Sequence, residues 1–209
     1  MDLSHSLLAL LGVEHGFGTR FSEGETGRGR GKSGEAVTLR QVHGTTVLKE
    51  SESVSSGVPA SGDGLFSGPG GRPVGVWTAD CLPILLSSAS GRHVAALHAG
   101  WRGAVRGIVH EALARLKDEQ GLVSSDLLVV LGPSAGRCCY QVGQEVLSEV
   151  SSIIRAFGGG RPLTDIWIFL PWSSTSWAMR GSLPAKPVRS TCVRSVILNF
   201  SSPTGVRDF

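Results

Sequence analysis

Short apolar runs bounded by glycine, proline and serine alternate along this chain with two longer stretches of helical period. Residues 74–77 and 93–97 are apolar and β-rich, which predicts buried strands that open into polar loops. Residues 36–42 and 45–48 predict strands on either side of His43-Gly44, and residues 127–131 predict a continuous buried strand ending at Gly132-Pro133. Over residues 101–120, Val105, Ile108, Val109, Ala112, Leu113 and Leu116 recur at helical spacing, with Arg106, Glu111, Arg115 and Lys117 outside and Gly121 as the stop. Val142, Val146, Leu147, Val150 and Ile154 give a second helix, closed by the glycines at 158–160. Residues 51–72 form a long Ser/Gly/Pro-rich connection interrupted by Gly62-Asp63-Gly64-Leu65-Phe66, and loops of that length are often functional. The Gly-, Glu- and Arg-rich stretch before Gly34 reads as a mobile loop.

A chain of 209 residues, 41% hydrophobic and 18% charged, is long enough to bury a real core, and one domain of mixed class is the default. The net charge of +3 invites a nucleic-acid reading, but its distribution argues against one. Residues 1–160 carry 14 Lys and Arg against 15 Asp and Glu, so the whole excess lies in the last 49 residues, which show no basic helix face. The apolar run at residues 7–11 is too short for a membrane span and lacks the basic flank of a signal peptide. Cys81, Cys138, Cys139 and Cys192 form no spaced disulfide framework, so reduced thiols and a cytoplasmic setting are expected.

Chemistry concentrates between Trp77 and Gly103, where Thr78-Ala79-Asp80-Cys81-Leu82-Pro83 is followed by an apolar run and then His98-Ala99-Gly100-Trp101-Arg102-Gly103. This places a thiol and an imidazole at strand ends, where loops commonly carry function. His43, set between two strand-like runs, is the natural third partner. Two imidazoles and a thiolate suit zinc and leave a fourth tetrahedral position open. The same atoms also suit a Cys-His dyad in which the Cys81 thiolate is the nucleophile, and a purely structural role for all three is a further alternative. Arg20 and Arg102 are anion-binding candidates, Arg102 in the first turn of a helix where backbone N–H groups favour phosphate. Asp63, between two glycines, is either part of the site or the holder of a turn, as is Asp80. His5, His15, His93 and His110 are assigned no chemistry. Cys138-Cys139-Tyr140 either lines a pocket or is structural.

These words resemble a known family. His15-Gly16-Phe17-Gly18-Thr19-Arg20, Gln41-Val42-His43-Gly44, Asp63-Gly64-Leu65, the Thr78 and His98 motifs, and Gly132-Pro133 through Cys138-Cys139-Tyr140 are similar, in order, to the laccase-domain family. That family is also known as polyphenol oxidase and, later, as purine nucleoside phosphorylase with adenosine deaminase activity. The resemblance implies an α+β, single-domain αββα-like sandwich with mixed sheets. It implies one metal ion, zinc with copper as the alternative, on the residues matching His43, Cys81 and His98. It further implies phosphorolysis of adenosine, inosine and methylthioadenosine, with deamination of adenosine. Purine nucleosides and phosphate are then the partners, with Cys81, His43 and His98 catalytic and Arg20, Gln41, Asp63 and Arg102 substrate-binding. The alternatives are a copper-dependent polyphenol oxidase, for which six histidines without a cluster are too few, and a catalytically impaired metal-binding remnant.

The resemblance covers about residues 15–147 and divides the chain into a family-like domain at 1–160 and an atypical tail at 161–209. The tail holds three of the five tryptophans and half of the prolines. It lacks the family's closing words, yet joining each codon's third base to the next two permits Ala-Gly-Val-Pro over residues 179–183. The same shift permits Cys-Thr-x-Cys over 192–196 and Phe-Phe-Ser-Tyr-Arg-Arg-Glu over 200–207. The sequence reading is therefore a frame slip between about residues 139 and 170. The slipped tail is expected to lack the family's last strand and to pack poorly, with Trp167, Trp172 and Trp177 exposed.

Overall fold

The β-rich stretches at residues 82–88, 94–99 and 127–131 pair into one sheet, whose two faces follow from the alternation of side chains along each strand. The computed structural model of the protein describes residues 6–19, 30–31, 34–55, 57–136, 140–156 and 193–199. In chain order these form α1 (Ser6–Leu10), β1 (Glu14–Thr19), the two-residue ribbon β2 (Arg30–Gly31) with β3 (Gly34–Glu35), β4 (Val47–Lys49), and the ribbon β5 (Val54–Ser55) with β6 (Val58–Pro59). There follow β7 (Gly64–Ser67), β8 (Val74–Val76), β9 (Leu82–Ser88), β10 (Val94–Ala99), α2 (Trp101–Arg106), α3 (Ile108–Gln120), β11 (Leu127–Leu131), α4 (Gln144–Ala156) and β12 (Val193–Asn199).

Five strands make the main sheet, in the order β11-β9-β10-β7-β4, antiparallel except for the parallel pair of β4 and β7. A second sheet runs β1-β12-β8. Leu65, Leu85, Val94 and Ala96 point from the main sheet into a core shared with Phe17, Val74 and Val76 of the second sheet. Their neighbours Phe66, Leu86, Ala95 and Leu97 point the other way, onto Ile108, Ala112 and Leu116 of α3. The two cores are thus the two faces of β7, β9 and β10, which are buried throughout. The architecture is the expected α+β domain, a sandwich of the αββα kind with a mixed sheet.

The predicted strands at 74–77 and 93–97 appear as β8 and β10, and the helix stops at Gly121, which takes the left-handed conformation with φ 68°. Four expectations change. The helix at 101–120 is two helices, because Gly107 at φ 90° closes α2 with N–H bonds to Gly103 and Ala104 and starts α3. Residues 36–42 are no strand: Val37 and Arg40 make only isolated bridges, to Val74 and Ser61. The connection at 51–72 contains β7, a fully buried central strand. Strand β11 is an edge strand, so Val129 and Leu131 remain 53% and 44% exposed instead of buried.

Most of the atypical tail, residues 161–192 and 200–209 with Trp167, Trp172 and Trp177, lies outside the described residues, as does the loop at 20–29. Val193–Asn199 does form a strand, antiparallel to β1 on one side and to β8 on the other, where the slipped-frame reading expects no final strand.

Candidate metal centre

Strands β9 and β10 are joined by the turn at residues 89–92, so antiparallel register sets Leu82 opposite Ala99 and Pro83 opposite His98. That register brings Cys81, at the entrance to β9, next to the far end of β10, although 17 residues separate Cys81 from His98. His98 shares the parity of Val94 and Ala96, so its side chain lies on the face toward the second sheet, at the end of the layer between the sheets.

The third partner arrives on a loop. His43 stands between Arg40 and β4 in the left-handed region, at φ 58°, a conformation uncommon for a side-chain-bearing residue. Asp63 holds it there. Asp63 Oδ1 accepts the His43 N–H at 2.9 Å, and Oδ2 accepts those of Gly44 at 2.7 Å and Val42 at 3.2 Å. Three successive backbone N–H groups converging on one carboxylate form an anion nest built from the chain's own side chain.

The same carboxylate reaches the second histidine. His98 Nδ1 lies 2.8 Å from Asp63 Oδ1, and since a carboxylate only accepts, Nδ1 carries a proton and Nε2 is left as the nitrogen that can bind an ion once it is deprotonated. Burial by itself would lower the His98 pKa, but the bond to Asp63, with Cys81 alongside, raises it from 6.5 to about 9. For Asp63, burial acts upward and is outweighed by the His98 bond and the three backbone N–H groups, which hold its carboxyl below the ordinary 3.8.

The ligand-capable atoms of His43, Cys81 and His98 all lie within 4.8 Å of one another, with Cys81 Sγ 3.9 Å from His43 Nε2. Tetrahedral zinc sets such atoms about 3.3–3.6 Å apart, so the trio closes on an ion with movements of less than about 1 Å. The two rings meet edge to face, with centroids 4.7 Å apart. Gly100 makes room for them: a Cβ there would stand 2.8 Å from His43 Cδ2 and 3.3 Å from Cys81 Sγ. His98 is buried, Cys81 half-buried and His43 exposed, so the cluster is open on one side. Two imidazole nitrogens and one thiol are a donor set that suits zinc and also copper. Cys81 is a free thiol, and this is the one such cluster among the described residues.

The remaining sequence-derived residues divide. Gln41 spends its amide on the main chain of Trp77, donating from Nε2 to the carbonyl at 2.7 Å and accepting the N–H on Oε1 at 2.7 Å. It straps the His43 loop to the segment leading to Cys81. Asp63 is fully buried with both oxygens engaged, on the backbone of residues 42–44 and on His98. Arg102 is exposed, its guanidinium 4.4 Å over the Trp101 ring, and the helix it starts has only six residues. Arg20, Cys138 and Cys139 lie outside the described residues. Tyr140 belongs to the same neighbourhood: burial first, then Cys81 and Asp80, push its phenol pKa up, with Arg102 opposing. Its N–H donates to the Gly136 carbonyl at 2.9 Å, and the adjoining Ala135 N–H donates to the Asp80 carbonyl at 3.0 Å.

Sequence reasoning offered Asp63 as the holder of a turn, as its bonds to residues 42–44 bear out, but it did not reach the bond to His98 or the strap made by Gln41. A signal was present in the glycines beside Asp63. A Cβ on Gly62 would sit 2.9 Å from Leu39 Cδ1, and one on Gly64 2.7 Å from Leu97 Cδ2, marking Asp63 as the centre of a tightly packed segment.

Comparison with known proteins gives this geometry a family. A purine nucleoside phosphorylase of Clostridium acetobutylicum is 38% identical over 111 residues, 53% of this chain and 46% of that protein. One from Geobacillus stearothermophilus is 31% identical over 148 residues, 67% of this chain and 50% of that protein. The chain spans about half the length of these curated relatives. A crystal structure of a Neisseria meningitidis protein of the DUF152 family superposes with a TM-score of 0.51 at 30% identity, covering 58% of this chain and 48% of that one. Among the described residues, no helix is long and apolar enough to cross a membrane. With residues 27–170 matching its profile, this chain belongs to the family described as multi-copper polyphenol oxidoreductase laccase.

Proposed function

We propose that this protein is a metal-dependent purine nucleoside phosphorylase that acts on adenosine, inosine and methylthioadenosine and also deaminates adenosine. The observation that carries the reading is the His43, Cys81 and His98 cluster, open on one side and built on a chain whose relatives bear the name purine nucleoside phosphorylase. In phosphorolysis the bond from ribose C1′ to the purine nitrogen breaks and a bond from C1′ to a phosphate oxygen forms, with the base leaving protonated. In deamination water oxygen replaces the amino group at purine C6 and ammonia departs. A bound ion, zinc with copper as the alternative, supplies Lewis acidity at the cluster. His43, Cys81 and His98 hold it, and Asp63 keeps His98 in the tautomer that offers Nε2. Arg102 and Arg20 hold phosphate by charge and fork-shaped hydrogen bonding, without help from a helix terminus in the case of Arg102. The half-buried Trp101 ring and exposed Trp77 give the purine apolar surface to stack on.

Incubation of purified protein with adenosine and phosphate, with and without zinc, is expected to yield adenine, ribose 1-phosphate and inosine. Absence of all three under both conditions would refute the reading. Copper-dependent phenol oxidation is disfavoured by a single three-ligand cluster among the described residues. An impaired remnant follows if the tail is frame-slipped, a reading supported by the three family words in the shifted frame. Independent sequencing of codons 139–170 tests it, and an uninterrupted frame removes it.

A further inference from the structure

We infer that Asp63 is the positioning residue on which metal affinity depends, because one carboxylate sets both the tautomer of His98 and the backbone conformation that presents His43. The inference rests on the reading of the trio as a metal site. His98 sits in a strand, so the sheet fixes its Cα, and the 2.8 Å bond from Nδ1 to Asp63 orients the ring and decides which nitrogen is left for the cluster. His43 has no strand to hold it. Its left-handed backbone at φ 58° is retained because the N–H groups of residues 42–44 all turn onto the Asp63 carboxylate. Asp63 is itself held by the main chain: its N–H donates to Thr46 O at 2.9 Å, and its carbonyl accepts His98 N–H at 2.7 Å. The carboxylate therefore acts as a fixed post between β7, the His43 loop and β10. No hydrogen bond joins Cys81 to the carboxylate, so two of the three residues are held by Asp63 directly and one is not.

Neutralising the post at constant size separates these roles. Asp63→Asn places an amide N–H₂ against groups that are themselves donors, so it loses part of the nest or the His98 bond. Zinc affinity, measured by chelator competition on folded protein well below its unfolding temperature, is expected to fall by about 10–100-fold. Long-range ¹H–¹⁵N NMR of the imidazoles of zinc-loaded wild-type protein is expected to show His98 protonated at Nδ1 and bound through Nε2. This second measurement does not depend on the variant folding. Zinc binding by Asp63→Asn equal to wild type, or His98 bound through Nδ1 in wild type, would overturn the inference while leaving the metal site standing. Wild-type protein that binds zinc no better than Cys81→Ala would overturn the metal site itself and this inference with it.

Discussion

Gly100 shows how little space separates a working cluster from a blocked one. Its φ of −65° is open to any residue, so only the space beside it demands glycine. Gly100→Ala would place a methyl group 2.8 Å from His43 Cδ2, and the ring must turn away. Zinc affinity is expected to drop about 10-fold or more with little loss of fold, measured by chelator competition beside thermal unfolding. His93, at the opposite end of β10, makes a different prediction. Its Nδ1 is buried without a hydrogen-bond partner, and burial first and the Arg92 charge second hold its pKa below 6.5. Above pH 6.5 the imidazole is neutral in both folded and unfolded chain and contributes no pH dependence. As pH falls below that value the unfolded chain takes up the proton first, so stability declines until the folded imidazole also protonates. Denaturant titrations at pH 7.5 and 5.5 are expected to show a smaller loss in His93→Leu than in wild type.

At the scale of elements, α2 is a spacer between the His43 loop and the rest of the helical layer. Gly103 lies against the His43 loop so closely that a Cβ would sit 2.6 Å from the Gly44 carbonyl oxygen, a backbone atom that cannot swing aside. Gly103→Ala is expected to cost about 1–3 kcal/mol of stability and to weaken zinc binding as well, because the displaced loop carries His43. Denaturant unfolding and metal titration of one preparation check both. The α2–α3 break explains why periodicity alone overran it. Val105 and Ile108 keep helical spacing across Gly107, and only the left-handed φ of 90° and the backbone bonds to Gly103 and Ala104 divide the stretch. The stretch at 36–42 was misleading for a related reason. Its apolar residues Val37 and Leu39 are buried as in a strand, but its backbone is bonded at isolated points.

At the scale of the whole molecule, the three ligand-capable residues come from a loop, a strand entrance and a strand end that meet only in the folded chain, so an ion held by them would bind the folded chain alone. Zinc at about 100 times its Kd is expected to add about 2.7 kcal/mol and to raise Tm by roughly 5–10 °C. Cys81→Ala is expected to abolish that rise, read by differential scanning fluorimetry with and without zinc. The α+β class came from the family resemblance, while the residues themselves gave β8 and β10, the stop at Gly121 and the identity of the three ligand-capable residues. These depend on local hydrophobic period and on side-chain chemistry, which any stretch of chain carries with it. Tertiary structure decided that β7 is central, that β11 is an edge, that Val193–Asn199 fills the gap between β1 and β8, and that Asp63 and Gln41 serve the site by holding its parts. Strand order and the partner of a buried carboxylate are set by contacts between segments far apart along the chain, and no local pattern encodes which distant segment will arrive.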